Sequence, residues 1–555
     1  MGMKRYLLFL IIMSIAIYPL LADVYYVDDV SSNGNGSFND PFNNFGDALN
    51  AAQPGDTVMV FPGTFNLSAD INTVRNGTAN QRITIMAYDP ADRPVLTRMG
   101  RIFNINHQYH TIDGFIMDAQ FGDADLMRVR SNADFLILRN CELMNSLRDG
   151  IDLSDATDVL IENCEIHHML AGTYTNQQDA HGIVATGERN LTVRGCNIYY
   201  VSGDCFQTDP DRGLPLWDNV LIEDCVLWTG PLPEDAAGFH AGEIPGENAV
   251  DTKINPDSIS TGYRPRITIR NVESYGFMPG FISTRAAFNI KEQVECVISG
   301  VRVYHNEVAF RLRGPGSRGG AHVTIINAIA YDNDRIFRTE DNIELLHIYN
   351  GTFDNDGVGN YFQNVAGGYD ENGFDLRNCL FMNAKPSDAT DPSNLTADSS
   401  FFANVSTRDY HLVAGAPAID TGDDIPEVTE DFEGNPRISG QYDVGAYEYQ
   451  PVTELISAVD RLIGDYELHQ NFPNPFNPTT TISFTLRRSA RVHLDIYNIL
   501  GQRIASLVNE TLPVGNYQIR WNGVDERGNA LPSGVYFYRM QANAFSVTRR
   551  MMLVE

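Results

Sequence analysis

The chain has 555 residues, 43% of them apolar and 10% aromatic, so it can bury a large core and is not a disordered polymer. Its formal charge is -31 and its isoelectric point about 4.6. That excludes nucleic acid as an expected partner, because two polyanions repel unless a basic stripe or a metal intervenes.

Lys4 and Arg5 precede the apolar run Tyr6 to Ile17, and Leu20-Leu21-Ala22 closes the segment before Asp23. Residues 1–22 therefore read as an export signal, and the mature chain is expected to start near Asp23. No later stretch approaches the roughly 18 apolar residues needed to span a bilayer, so no transmembrane segment is expected after signal removal.

From residue 134 to 384 one phrase recurs: DFLILRNCELMN, DVLIENCEIHHM, NLTVRGCNIYYV, NVLIEDCVLWTG, RITIRNVESYGF, ECVISGVRVYHN, HVTIINAIAYDN, IELLHIYNGTFD and GFDLRNCLFMNA. Each copy alternates apolar and polar residues, turns a corner at Asn, Asp or Gly, and resumes as a second short strand. A repeat of roughly 25–30 residues without helical phase cannot cover its own apolar face, so the copies must stack into a solenoid of parallel strands. Asn140, Asn163, Asn271, Asn327, Asn350 and Asn378 fall at the corner, where Asn tolerates the left-handed backbone. Five of the seven cysteines, Cys141, Cys164, Cys196, Cys225 and Cys379, share one slot of the phrase and are expected to be small core residues rather than disulfide partners. The predicted fold over 23–450 is all-β: a right-handed, single-stranded parallel β-helix.

The opening Tyr25-Tyr26-Val27-Asp28, the amphipathic Asn43 to Ala52 and the Pro54–Val58 and Pro62–Phe65 segments resemble the capping helix and first coil of the pectate-lyase-like superfamily. Asp409–Leu412, Pro417–Asp420 and Asp443–Glu448 resemble its closing segment. A linker over 451–466 leads to strand-like runs at Ile482–Leu486, Val492–Tyr497, Tyr517–Trp521 and Val535–Met540, which describe a small C-terminal β-sandwich over 467–555. Asn471–Thr480, Leu500-Gly501-Gln502 and Ser533–Tyr536 make this region similar to the type A sorting domain of the type IX secretion system. That likeness implies the type IX machinery as a partner, and secretion or outer-membrane surface attachment in a Gram-negative bacterium. A carbohydrate-binding sandwich is the alternative.

On a β-helix the outward residues of one sheet form vertical columns. Aligning by the corner motif, one column reads Ser154, Thr186, Asp209, Lys253, Arg285, Arg313, Glu340, and its neighbour Asp152, Val184, Gln207, Asp251, Ser283, Arg311, Arg338, with Ile151, Phe206, Val250, Ile282 and Phe310 pointing inward. Carboxylates then lie beneath cations, which suits β-elimination on an acidic polysaccharide: one group neutralises the sugar carboxylate and a base takes the C5 proton. Lys253 stands out, because the chain has only four lysines. Asp204, Asp209, Glu247, Asn248 and Asp251 are expected to supply oxygens to Ca2+. Lys253, Arg311 and Arg313 are the candidate catalytic residues, and Arg285, Arg338, Trp228 and Tyr263 the candidate substrate contacts. The pattern resembles polysaccharide lyase family 9, whose Asp-Asp-Gly-x-Asp segment binds metal and whose Gly-Asn-Gly-Phe-Lys-Leu-Gly-Gly segment carries the base. Here Glu247–Asp251 stands in the first place, with Glu-Asn for the acidic pair, and Glu307–Gly314 in the second, with Arg311 for lysine. The expected protein is a monomeric, calcium-assisted lyase of uronate-containing polysaccharide. The alternatives are a noncatalytic adhesin or glycan-binding protein, in which the charge ladder only holds ligand or is a solvated face, and a glycoside hydrolase using paired carboxylates such as Asp204 with Asp209 or Asp251.

Overall fold

A computed structural model describes residues 22–29, 32–208, 216–255, 261–316, 319–355, 361–438 and 440–450 of the first part of the chain. Towards the C-terminus it describes 466–468, 471, 476, 478–486, 490–498, 503–513, 515–525, 529, 531, 534–542 and 545–553. The export signal, apart from Ala22, lies outside the described residues, as do Asp209, the linker over 451–465 and the Leu500-Gly501-Gln502 motif.

Short strands of alternating polarity, each unable to cover its inner face, pair in parallel with the strand one turn on. Three sheets of 13, 11 and 13 strands result, wound as a right-handed β-helix. In the first sheet the inward positions register as an aliphatic ladder from Val58 through Ile85, Ile112, Leu138, Ile161, Val193, Ile222, Ile269, Ile298, Ile325 and Ile348 to Leu376. The second sheet stacks Val250, Phe288, Phe310, Phe337 and Phe362, with ring centroids 5.7, 5.3 and 4.7 Å apart along the four phenylalanines. Ile282 does not belong to this ladder; it lies in an irregular segment before the strand Ala286–Ile290, and Phe288 takes the slot.

The six asparagines expected at the corner all have φ between 52° and 56°. Where the column carries glycine, the reason is space: a Cβ on Gly195 would stand 2.5 Å from Asn163 Oδ1, one rung away. The seven cysteines are buried and unbridged. At the N-terminal end Asn44 caps the helix Phe45–Ala51, accepting from the Asp47 N–H at 2.9 Å, and the helix buries Phe45, Ala48 and Leu49 against the first strands. The closing segment runs along the flank. Asn327, Asn350 and Asn378 donate side-chain N–H to the carbonyls of Glu430, Asp443 and Asp423. The polar corner column thus binds the tail that covers it.

The chain divides into a unit ending at Tyr449 and a second from Gln450. The second is a three-stranded and a four-stranded antiparallel sheet sharing a core that includes Ile482, Phe484, Leu494, Trp521, Tyr538 and Met551.

Glu188 is fully buried; Oε1 accepts from the Ala156 N–H at 3.0 Å and Oε2 has no hydrogen-bond partner among the described residues. Burial drives its pKa well above the ordinary carboxylate range. A group raised by folding contributes stability in acid and loses it as pH rises. Glu188→Gln is therefore expected to match wild type at acid pH and to exceed it by about 1–3 kcal/mol at neutral pH. Urea midpoints measured against pH check this; a gap that shrinks with rising pH would contradict it.

Candidate functional site

The polar residues nominated from the sequence divide among separate structural roles. At the entrance to the second sheet a vertical chain of side chains caps the N–H of the next rung. Asp149 Oδ1 accepts from His181 N at 2.8 Å, His181 Nδ1 from Asp204 N at 2.8 Å, Asp204 Oδ1 from Asn248 N at 3.1 Å, and Asn248 Oδ1 from Ala286 N at 3.1 Å. Asn248 Nδ2 also donates to Asp204 Oδ1 at 2.8 Å. His181 must be the Nε2-protonated tautomer to accept through Nδ1. Burial pushes its pKa down to about 4, with Asp179 opposing and Lys253 reinforcing the shift. Burial, with Asp251 and Glu247 nearby, raises Asp204, which is 1% exposed. Asp204 and Asn248 are thus scaffold groups.

The outward column of the second sheet runs Asp152, Val184, Gln207, Asp251, Asn289, Arg311, Arg338. Asn289 stands where Ser283 was expected, and Lys291 two residues on where Arg285 was expected. Arg285 is 1% exposed: its guanidinium donates to the carbonyls of Ile244 and Met278, so it clips two loops. The misplacement has a physical cause. The six residues from Gly280 to Arg285 mimic the corner phrase but form a loop; the true rung is Phe288-Asn289-Ile290-Lys291, in phase with Phe310-Arg311-Leu312-Arg313.

The three outward arginines converge on one carboxylate. Glu340 accepts from Arg311 Nε at 3.1 Å and from Arg338 Nε, and its Oε2 lies 3.1 Å from Arg313 Nε as an ion pair without hydrogen-bond geometry. Burial works to raise Glu340, but the bonds from Arg338 and Arg311 hold it below its usual range. Arg311 and Arg338 thus serve a structural ion network, and Arg311 does not stand open as a base. Trp228 lies on the third sheet, stacked between Tyr199 at 4.6 Å and Tyr275 at 5.5 Å, with both ring faces covered. Its excursion packs through Leu232 and Phe239 onto Leu170. Tyr263 is 47% exposed beside the first-sheet strand Arg266–Arg270, and its carbonyl accepts from Gln293.

What converges on the outer face is Asp251, Lys253 and Lys291. Asp251 is 3% exposed; its Oδ1 accepts from Asn289 Nδ2 at 2.9 Å, and its Oδ2 lies 3.0 Å from Lys291 Nζ and 3.8 Å from Lys253 Nζ. Lys253 Nζ also donates to Gln207 Oε1 at 2.5 Å. Two of the chain's four lysines thus meet at one buried carboxylate. The same device positions both: the hydroxyl of a buried threonine one rung below bonds the lysine's N–H and its carbonyl. Thr208 does this for Lys253 at 2.8 and 2.9 Å, and Thr252 for Lys291 at 2.8 and 2.8 Å. Trp217 Nε1 adds a bond to the Lys253 carbonyl at 2.7 Å. Glu247 lies on the rim, half-buried; burial, then Asp179 and Asp251, raise its pKa against Lys253 and Lys291. A cavity of about 320 Å³ adjoins, lined by Lys291, Glu292, Arg313, the 314–316 turn, Gly319 and Asp341.

The described donor set does not fit calcium. Asp204 Oδ1 is filled by Asn248, both Asp251 oxygens face N–H donors, and no group of three or more His, Cys, Asp or Glu side chains placed to hold a metal ion occurs among the described residues. A divalent ion about 4 Å from either ammonium meets a repulsion on the order of 8 kcal/mol at an effective dielectric of about 20. Lys291 and Asn289 were missed in the sequence, and the signal was available: aligning by the inward phenylalanines places Lys291 beside Lys253.

Among the described residues no helix is long and apolar enough to cross a membrane. A search of curated proteins found no match. Among solved structures the chain is similar to pectate lyase Pel9A, with 17% identity, 77% of this chain and 96% of that chain covered, and a TM-score of 0.44. It is also similar to a rhamnogalacturonan lyase, with 14% identity, coverage of 78% and 98%, and a TM-score of 0.46. An alginate lyase from Paenibacillus sp. is 15% identical, with coverage of 58% and 95% and a TM-score of 0.38. Residues 474–545 match the FlgD Ig-like domain. Residues 24–360 match the Pel9A-like, right handed beta helix region, and the chain therefore belongs to the Pel9A-like right-handed β-helix family.

Proposed function

We propose that the protein is an exported lyase that binds an acidic polysaccharide across the outer face of the second sheet and cleaves it by β-elimination at a uronate. The observation that carries this reading is the meeting of Lys253 and Lys291 at Asp251 beside the half-buried Glu247. Membership of a family named for Pel9A is in keeping with it. Lys291 neutralises the sugar carboxylate, and Lys253, after passing its proton to Glu247, takes the C5 proton. The C5–H electron pair forms the C4=C5 double bond, the C4–O4 bond breaks, and O4 takes a proton from Glu247, whose raised pKa suits a donor. Residues 1–22 direct export, and the C-terminal unit serves as a type IX sorting domain that leaves a monomer released or held at the surface.

The test incubates the full chain with polygalacturonate, rhamnogalacturonan, alginate and chondroitin while following ultraviolet absorbance of the unsaturated product. Lys253→Ala and Lys291→Ala are each expected to lower kcat by at least about 100-fold. Absence of the ultraviolet signal on every uronate overturns the lyase reading. Reducing ends without that signal identify a hydrolase, and affinity without turnover a binding protein.

A further inference from the structure

We infer that the ammonium groups of Lys253 and Lys291 are a built-in replacement for a divalent cation, so that this face neutralises an acidic ligand without metal. The ligand's identity rests on the lyase reading; independence from metal does not.

Three observations carry it. First, the ammonium groups hold the place a metal ion would take: Lys291 Nζ is 3.0 Å and Lys253 Nζ 3.8 Å from Asp251 Oδ2, while Oδ1 is taken by the Asn289 amide at 2.9 Å. Calcium requires six to eight oxygen ligands, and here the central carboxylate faces nitrogen donors on both sides. Second, the lysines are held in place by the fold. Thr208 and Thr252 are fully buried, and each fixes both backbone polar groups of the lysine above it. Both side chains therefore leave the sheet in the same register, one rung apart. Third, a divalent ion set at Asp251 would stand beside two ammonium groups at a nearly inaccessible carboxylate, and both would repel it.

The experiment uses the full chain stripped of metal, and its readouts are calcium binding by calorimetry and the melting temperature with and without calcium. Wild type is expected to give no binding heat and the same melting temperature in calcium and in chelator. Lys253→Met/Lys291→Met removes both charges while keeping the apolar stems and leaves Asp251 with the Asn289 amide. This variant is expected to bind calcium at least roughly tenfold more tightly than wild type and to melt higher in its presence. Adding Asp251→Asn is expected to erase that response. Calcium binding by wild type that Asp251→Asn abolishes overturns the inference. So does a folded double variant that remains indifferent to calcium. Should the double variant fail to fold, Lys291→Gln alone, which keeps a donor at Asp251, is scored by the same criteria. None of these readouts involves turnover, so a negative lyase assay and a negative calcium result are separate failures.

Discussion

Asp251→Ala is expected to lower the stability of the β-helix by about 3–5 kcal/mol and to end turnover on any uronate. Asp251 is nearly inaccessible, and its two oxygens bind Asn289, Lys291 and Lys253. Alanine leaves two ammonium groups facing each other without the carboxylate between them, while the Thr208 and Thr252 bonds hold their backbones one rung apart. The lysine side chains keep some solvent contact, 25% and 17% of their surface, which places the loss at the lower end of the range. The urea midpoint measures it. Asp251→Asn, which cannot repel or attract either lysine as strongly and keeps the Asn289 contact, should lose less stability but as much activity. A loss under about 1 kcal/mol for Asp251→Ala would show the pair to be a solvated surface contact.

Phe310→Ala is expected to cost about 3–5 kcal/mol through a cavity in the interior stack. Phe310 is fully buried between Phe288 at 5.7 Å and Phe337 at 5.3 Å, so truncation removes contacts on two rungs at once. In a stacked fold a rung stabilises only its neighbours. The defect should therefore expose the adjacent strands Ala286–Ile290 and Arg335–Glu340 to amide hydrogen exchange while the first turns stay protected. Uniform loss of protection along the helix would contradict this. Phe310→Leu, which keeps most of the volume, should recover over half of the loss.

The legibility of this protein differs between its inner and outer faces. The inward alternation is readable because a strand that places Ile161 inside must place Leu160 and Glu162 outside, and every rung repeats the choice. The corner asparagines are readable for a related reason: a tight corner needs the left-handed backbone, and few residues tolerate it. Even the unbridged cysteines follow from recurrence, since a residue in one slot of every rung is a packing element. None of these readings needs knowledge of which side chains touch across rungs.

The outer face required that knowledge. Alignment by the corner motif shifted one rung by six residues, placed Arg285 in the column and left Lys291 out, because Gly280–Arg285 forms a loop ahead of the strand Ala286–Ile290. Asp204 looked like a ligand in sequence, yet the backbone and side-chain N–H groups of Asn248, one rung on, claim its Oδ1. Arg311 looked like a base, yet Glu340, 29 positions later, claims its guanidinium. Trp228 looked like a wall of the cleft, yet it belongs to the third sheet.

The amino-acid sequence by itself determined that this chain stacks as a parallel β-helix with polar corners, since strand alternation and backbone tolerance are local properties repeated rung after rung. Only the tertiary structure decided which charged groups are spent on each other and which remain together at Asp251. The partner of an outward side chain is set by vertical register between rungs, 29 residues apart for Arg311 and Glu340 and 46 for Lys253 and Gln207, and a single irregular loop shifts that register without leaving a mark in the local pattern.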